Sequence, residues 1–174
     1  MNQKLRQQLN RIVSSENEKN WYIPTLFEKN TLPQLPKEVV LVKSPPEERK
    51  NYNCFLYVLN LYENEEIIKE TRGFIFSAFI ENLIVIGEMK ETHQKGEGII
   101  VLYRDRKTNP NEFTHAGIVR KDGRIISKWS WGPILIHDLL DVPLAYGDSI
   151  EYYEPLSVDK ALMLYQKYKA LSID

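Results

Sequence analysis

The sequence predicts an α+β domain, and three observations carry that prediction. Helical periodicity dominates the first half of the chain, strand-like runs joined by tight turns follow Gly96, and a helical segment closes the C-terminus. Helices first and an antiparallel meander afterwards is the order of an α+β fold. At 174 residues the chain can bury one core. It reads as a single domain over 1–174, with an N-terminal helix and proline-rich arm at 1–50, a core at 51–155 and a C-terminal helix at 156–174.

The elements follow in order. Residues 2–15 place Leu5, Leu9, Ile12 and Val13 on one face of a short amphipathic helix. Across residues 21–50, Pro24, Pro33, Pro36, Pro45 and Pro46 interrupt the pattern around one strand-like run at 39–42, so this segment reads as an arm draped over the domain. Residues 45–50 make a solvated turn. Asn53 is a good N-cap, which puts Cys54 at the first helical position. The run 55–62 is apolar nearly all round and predicts a helix buried on most sides.

Residues 72–82 read as a second helix through Phe74, Ile75, Ala78 and Phe79, and Glu63, Glu65 and Glu66 as a solvated helix end or loop. Strands are expected at 99–103, 114–120 and 124–129, the last two joined by the hairpin signature Asp122-Gly123. Residues 134–140 are ambiguous, 149–153 form a last short strand and 158–171 a terminal helix. Tyr146, Tyr152 and Tyr153 are expected to pack around that last strand.

Composition excludes several classes of function. The formal charge is -1 with both signs interspersed, so no basic patch argues for nucleic acid. The N-terminus lacks the apolar core of a signal peptide, and Glu81 and Asn82 interrupt the longest apolar stretch, so no membrane span is expected. A soluble, cytoplasmic protein is the expectation. One cysteine rules out a disulfide framework or a cysteine-based zinc site. His93, His115 and His137 form no His-x-x-x-His pair, and Gly96-Glu97-Gly98 lacks the rest of a phosphate loop. No metal and no cofactor are therefore expected, and the oligomeric state is not legible.

The chemistry concentrates on Cys54 and His115. Unpaired amides and the dipole at a helix start favour a thiolate. A free cysteine titrates near about 8.5, and a helix N-terminus with a histidine partner can lower that to ~3.5–7.5. His115 opens a strand, with the small Ala116 and Gly117 leaving room beside it. Two readings stand side by side: a nucleophile with its general base, or a small core residue and an ordinary sheet-end histidine. Trp129 and Trp131 flank Ser130 on one face of a strand, as the wall of a substrate groove or as a face packed on the core.

In order and spacing these parts resemble the NlpC-type branch of the papain-like cysteine peptidases and amidases, with the CHAP amidases as cousins. The stretches that carry the resemblance are Asn53-Cys54-Phe55-Leu56-Tyr57-Val58-Leu59, Gly96-Glu97-Gly98-Ile99-Ile100-Val101-Leu102-Tyr103, His115-Ala116-Gly117-Ile118-Val119 and Asp122-Gly123-Arg124-Ile125-Ile126-Ser127. They cover roughly residues 50–130, about half the chain.

The resemblance implies a papain-like fold with a buried cysteine helix packed on an antiparallel sheet. It implies Cys54 as the nucleophile and His115 as general base and acid, with the Cys54 amide at the oxyanion and Tyr52, Asn51 or Asn53 assisting just upstream. The substrate it implies is a peptide or amide, cleaved through a thioester. The third position, which should orient the imidazole, holds Ser127 followed by Lys128. A serine offers little charge stabilisation there and a lysine would oppose it. The stretch Ser127-Lys128-Trp129-Ser130-Trp131-Gly132 with His137 after it resembles a poorly characterised bacterial subgroup of this superfamily, so His137 is a candidate orienter or substrate contact. The alternative is a non-catalytic binding or regulatory module on the same fold.

Overall fold

Six short apolar runs pair into one antiparallel sheet, and seven α-helices among the described residues cover it, an α+β architecture. The computed structural model describes residues 2–47 and 50–171. Glu48 and Arg49 of the expected turn at 45–50, Met1 and the last three residues of the expected C-terminal segment lie outside the described residues. The strands are β1 (Val40–Lys43), β2 (Ile100–Arg104), β3 (Phe113–Val119), β4 (Ile125–Lys128), β5 (Ile134–His137) and β6 (Ser149–Tyr153), in the order β1-β5-β4-β3-β2-β6. The helices are α1 (Gln3–Ile12), α2 (Glu18–Tyr22), α3 (Pro24–Leu26), α4 (Cys54–Val58), α5 (Glu65–Thr71), α6 (Ser77–Val85) and α7 (Val158–Tyr168).

Because side chains alternate along a strand, the sheet has two distinct faces. Ile100, Leu102, Ala116 and Ile134 join Leu56, Phe79, Leu83 and Leu164 of the later helices in one buried cluster. Val101, Tyr103, Val119, Ile125, Trp129 and Leu135 join Leu5, Leu9, Trp21 and Phe27 of the N-terminal segment in the other.

The arm does more than drape. Its strand β1 pairs with β5 through Val40↔Ile136 and Leu41↔Leu135 and forms a sheet edge. Its prolines delimit short helices: Pro24 occupies the first turn of α3, where its missing N–H is not needed. Trp21 and Phe27 are buried.

The helix boundaries differ from the sequence reading for local reasons. The expected helix at 72–82 starts at Ser77, because Arg72 and Gly73 both adopt positive φ, 52° and 75°, and end α5 instead. Gly73 is required there, since a Cβ would collide with the Asn51 carbonyl. Of the glutamates expected at a helix end or loop, Glu65 and Glu66 form the first turn of α5, where Asn64 Oδ1 accepts from the Ile67 amide and the carboxylates suit the helix start, and Glu63 precedes the cap. The cysteine helix spans only Cys54–Val58, and the chain turns off at Asn60 with φ 55°.

Residues 134–137 resolve as strand β5. Trp129 and Trp131 do not share a strand face: β4 ends at Lys128, Ser130 turns with φ 51°, and Trp129 alone is fully buried.

A cluster of buried polar groups around Cys54

Asn51, Asn53, Cys54, His115, Ser127, Lys128 and His137 are all buried, contributed by the start of α4 with the residues just ahead of it and by strands β3, β4 and β5. Asn53 sets the start of α4: its Oδ1 accepts from the Leu56 amide at 3.2 Å and its Nδ2 donates to the Ile75 carbonyl at 2.8 Å. Its own amide donates to the Gly73 carbonyl at 2.9 Å. Its polar groups are thus divided between the helix cap and the segment at Gly73 and Ile75. None of them is left to face a substrate.

Cys54 is 5% exposed, within the helix-side cluster. The amides of Ala116, Cys54 and Phe55 and the charge of Lys128 favour its thiolate, yet burial outweighs them and pushes the thiol up to about 12. The sequence expectation of a depressed pKa is therefore corrected. The helix-start field is present, but it acts on a group withdrawn from water.

His115 is completely buried and neither ring nitrogen has a hydrogen-bond partner. The imidazole stacks on Tyr146 with centroids 4.0 Å apart and planes 15° from parallel, and it meets Tyr103 at 5.4 Å and the Trp129 edge at 6.5 Å. Burial first, then His137, holds its pKa well below the ordinary value, so the ring is neutral.

No hydrogen bond joins His115 to Cys54. Alternation explains the separation: Ala116, whose amide faces the sulfur, belongs to the helix-side cluster, and its neighbour His115 turns towards Tyr103 and Trp129 on the other side. Paired residues between β3 and β4 are Ile118↔Ile126 and Val119↔Ile125, which leaves Ala116 outside that ladder.

Ser127 and His137 form a pair of their own. His137 Nδ1 lies 2.9 Å from the Asp138 carbonyl, which can only accept, so Nδ1 carries the proton and Nε2 is the acceptor. The Ser127 hydroxyl, 2.8 Å from Nε2, donates to it and accepts from Trp129 Nε1 at 2.9 Å. Every member is satisfied. Burial lowers His137 to about 4, which keeps this tautomer neutral. The expected role of Ser127 or His137 as orienter of His115 is thus corrected: both are committed to each other and to Trp129. Trp129, read as a groove wall or as part of a core face, is a core residue with its indole N–H engaged, and His137 is buried.

Lys128 is the residue that sequence reasoning undervalued. It projects to the helix side with Ile126, and its ammonium donates to Asn51 Oδ1 at 3.1 Å, to the Ser130 carbonyl at 3.2 Å and to the Gly132 carbonyl. It also lies 5.0 Å from the centre of the Tyr52 ring, which itself stacks on Tyr62 at 4.7 Å. Desolvation lowers it towards about 7, and the Cys54 thiol acts in the opposite direction. The signal was a lysine within the strand run Ile125-Ile126-Ser127-Lys128.

Tyr146 was likewise missed, because its partner is far away in sequence. The loop that carries it is held by Arg6, whose guanidinium donates to the carbonyls of Val142 at 3.0 Å, Pro143 at 3.3 Å and Gly147.

A groove of about 900 Å³, bounded by Lys50, Asn51, Tyr62, Glu65, Arg72 and Trp131, reaches the segment just ahead of Cys54. A smaller one of about 350 Å³, lined by Trp21, Tyr22, Trp131 and Tyr146, abuts the far side of the His115 stack. Among the described residues no group of three or more His, Cys, Asp or Glu side chains could hold a metal ion, and no helix is long and apolar enough to cross a membrane.

Fold and site together define an α+β domain with a buried cysteine, lysine and histidine cluster at one end of its central strands. The chain belongs to the family described as a domain of unknown function, DUF7689, whose model matches residues 43–154 and so takes in Cys54, His115, Ser127, Lys128 and His137. No curated protein and no solved structure matches it.

Proposed function

We propose that this domain is a cysteine hydrolase of amide or peptide bonds, on a papain-like fold of the NlpC type, held in a closed state. The observation that carries the reading is His115: a fully buried imidazole with both nitrogens unsatisfied, adjacent in the chain to the amide that faces the Cys54 sulfur. Leaving a buried polar group unpaired costs about 1–3 kcal/mol. Such groups concentrate at sites of function, where folding stability is not the only requirement.

In the proposed reaction the start of β3 opens and repacks, so that His115 leaves its stack on Tyr146, exchanges sheet faces to reach the sulfur and accepts the thiol proton. The thiolate adds to the substrate carbonyl, forming the S–C bond. His115 returns the proton to the leaving amine as the C–N bond breaks. Water, deprotonated by His115, then hydrolyses the thioester and the thiol is restored. The amides of Cys54 and Ala116 are candidates to receive the oxyanion. A single free thiol suits a reducing cytoplasmic setting. The peptide or amide substrate would approach through the groove beside Asn51.

The competing reading, a non-catalytic binding or regulatory module, is favoured by the sealed thiol with its pKa near about 12. A peptidyl acyloxymethyl ketone, read by intact mass, separates the two. The hydrolase reading expects an adduct on Cys54 in the native protein that His115→Ala abolishes while the fold is retained. Labelling confined to denatured protein leaves the binding module.

A further inference from the structure

We infer that Lys128 is the positioning residue of Cys54: its buried ammonium, fixed by Asn51, Ser130 and Gly132, holds the segment ahead of the cysteine and stabilises the thiolate. This rests on the hydrolase reading and specifies which cation serves the nucleophile.

Three observations support it. Lys128 is wholly buried, and the three N–H groups of an ammonium meet three oxygens. A neutral amine would turn a lone pair towards one of those oxygens, so the cradle favours the ammonium against the desolvation that lowers it towards about 7. Secondly, the cradle is built from the cysteine's own approach. Asn51 also donates to the Trp131 carbonyl at 2.6 Å and accepts from the Tyr52 amide at 2.9 Å, which ties the residues before Cys54 to the turn after β4. Thirdly, alternation along β4 puts Lys128 on the same side of the sheet as Ile126, which packs against the cluster that holds Cys54, so an ammonium and a thiolate here attract.

The other groups around the pair do not replace it. Lys43 of β1 opposes the charge on Lys128, Tyr146 interacts with the thiol as a neutral phenol, His115 is neutral, and Tyr52 presents its ring. The cost of burying an uncompensated charge is avoided only because acceptors and a developing anion are both at hand.

The test is the rate at which iodoacetamide alkylates Cys54 in the folded full-length chain, followed by mass spectrometry from about pH 6.5 to 9. A thiol raised by one pKa unit has about tenfold less thiolate at each pH in this range, offset in part by the greater nucleophilicity of the more basic thiolate, for a rate about three- to fourfold lower. Lys128→Met, nearly isosteric but uncharged, is expected to slow alkylation about threefold or more. A purely structural role instead makes the rate follow stability, faster where the core loosens and slower where loss of the buried charge tightens it, so slowing supports the proposal where the urea midpoint is not raised, and Asn51→Ala decides where it is. An unchanged or faster rate overturns the proposal.

Asn51→Ala keeps the lysine and removes one acceptor, so it decides the matter should Lys128→Met not fold. A slower rate supports the proposal, and an unchanged or faster one overturns it. The hydrolase reading is scored separately on the wild-type chain by the ketone adduct. Its failure with the Lys128 effect intact leaves a charge-tuned thiol without hydrolysis, whereas an adduct with no Lys128 effect removes only this inference.

Discussion

At the scale of single residues, burial governs the chemistry of this protein more than local sequence does. His137 shows it with a definite sign. Its folded pKa, about 4, lies below the ordinary 6.5 because burial disfavours the charged ring. The native state therefore binds fewer protons than the unfolded chain between these values. The stability contribution is whole above pH 6.5 and is lost as pH falls towards 4. His115, shifted in the same direction, adds to that loss. Urea midpoints measured across this window should fall with pH, and His137→Gln should flatten the decline. Ser127→Ala is a sharper case, since it strands both Trp129 Nε1 and His137 Nε2. The expected loss is about 1–3 kcal/mol in urea unfolding. Its rate of Cys54 alkylation should stay close to wild type, because Ser127 lies on the other side of the sheet.

Among the elements, the start of α4 and the β3–β4 pair decide what the cluster can be. Asn53→Ala removes the cap to Leu56 and the bond to the Ile75 carbonyl together. A lost N-cap costs about 0.5–2 kcal/mol, and the stranded Ile75 carbonyl adds to it. Gly117 sits where a Cβ would meet Ile125 Cγ2 at 2.5 Å, Ser127 Cβ at 3.1 Å and the Ile126 carbonyl at 3.2 Å. Gly117→Ala should therefore push β4 away from β3 and lower the thermal midpoint, whereas Gly123→Ala, in the open turn, should be limited to its own backbone strain. The cap at Asn53 and the strands at β2 to β4 were legible, because caps and period-two alternation are local signals. The end of α5 at Arg72 and Gly73 was not. It is enforced by the close approach of the Asn51 backbone, a contact across the fold.

Across the whole molecule, the N-terminal segment is the other half of the core. The family match begins at residue 43, yet Leu5, Leu9, Trp21 and Phe27 cover the sheet face that holds Tyr103, Trp129 and Leu135. Trp21 anchors this layer: its indole N–H donates to the Trp129 carbonyl at 3.0 Å and its ring fills the space that a side chain at Gly132 would need. Trp21→Ala should cost about 3–5 kcal/mol, the usual range for removing a buried large aromatic. It should also open the His115 stack to solvent, seen as faster hydrogen exchange in β3 and in the Tyr146 loop.

The sequence by itself determined the α+β class, the hairpin at Asp122-Gly123, the capped start of the cysteine helix and the presence of a polar series at Cys54, His115, Ser127 and His137. These are properties of neighbouring residues, set by backbone preference and periodicity. Only the tertiary structure decided who partners whom. It gave Ser127 to His137 and Trp129, His115 to Tyr146 and Lys128 to the approach of Cys54, and it reversed the expected shift of the thiol. The physical reason is that desolvation and hydrogen bonding depend on atoms brought together from distant parts of the chain. A helix start favours a thiolate only while water can reach it.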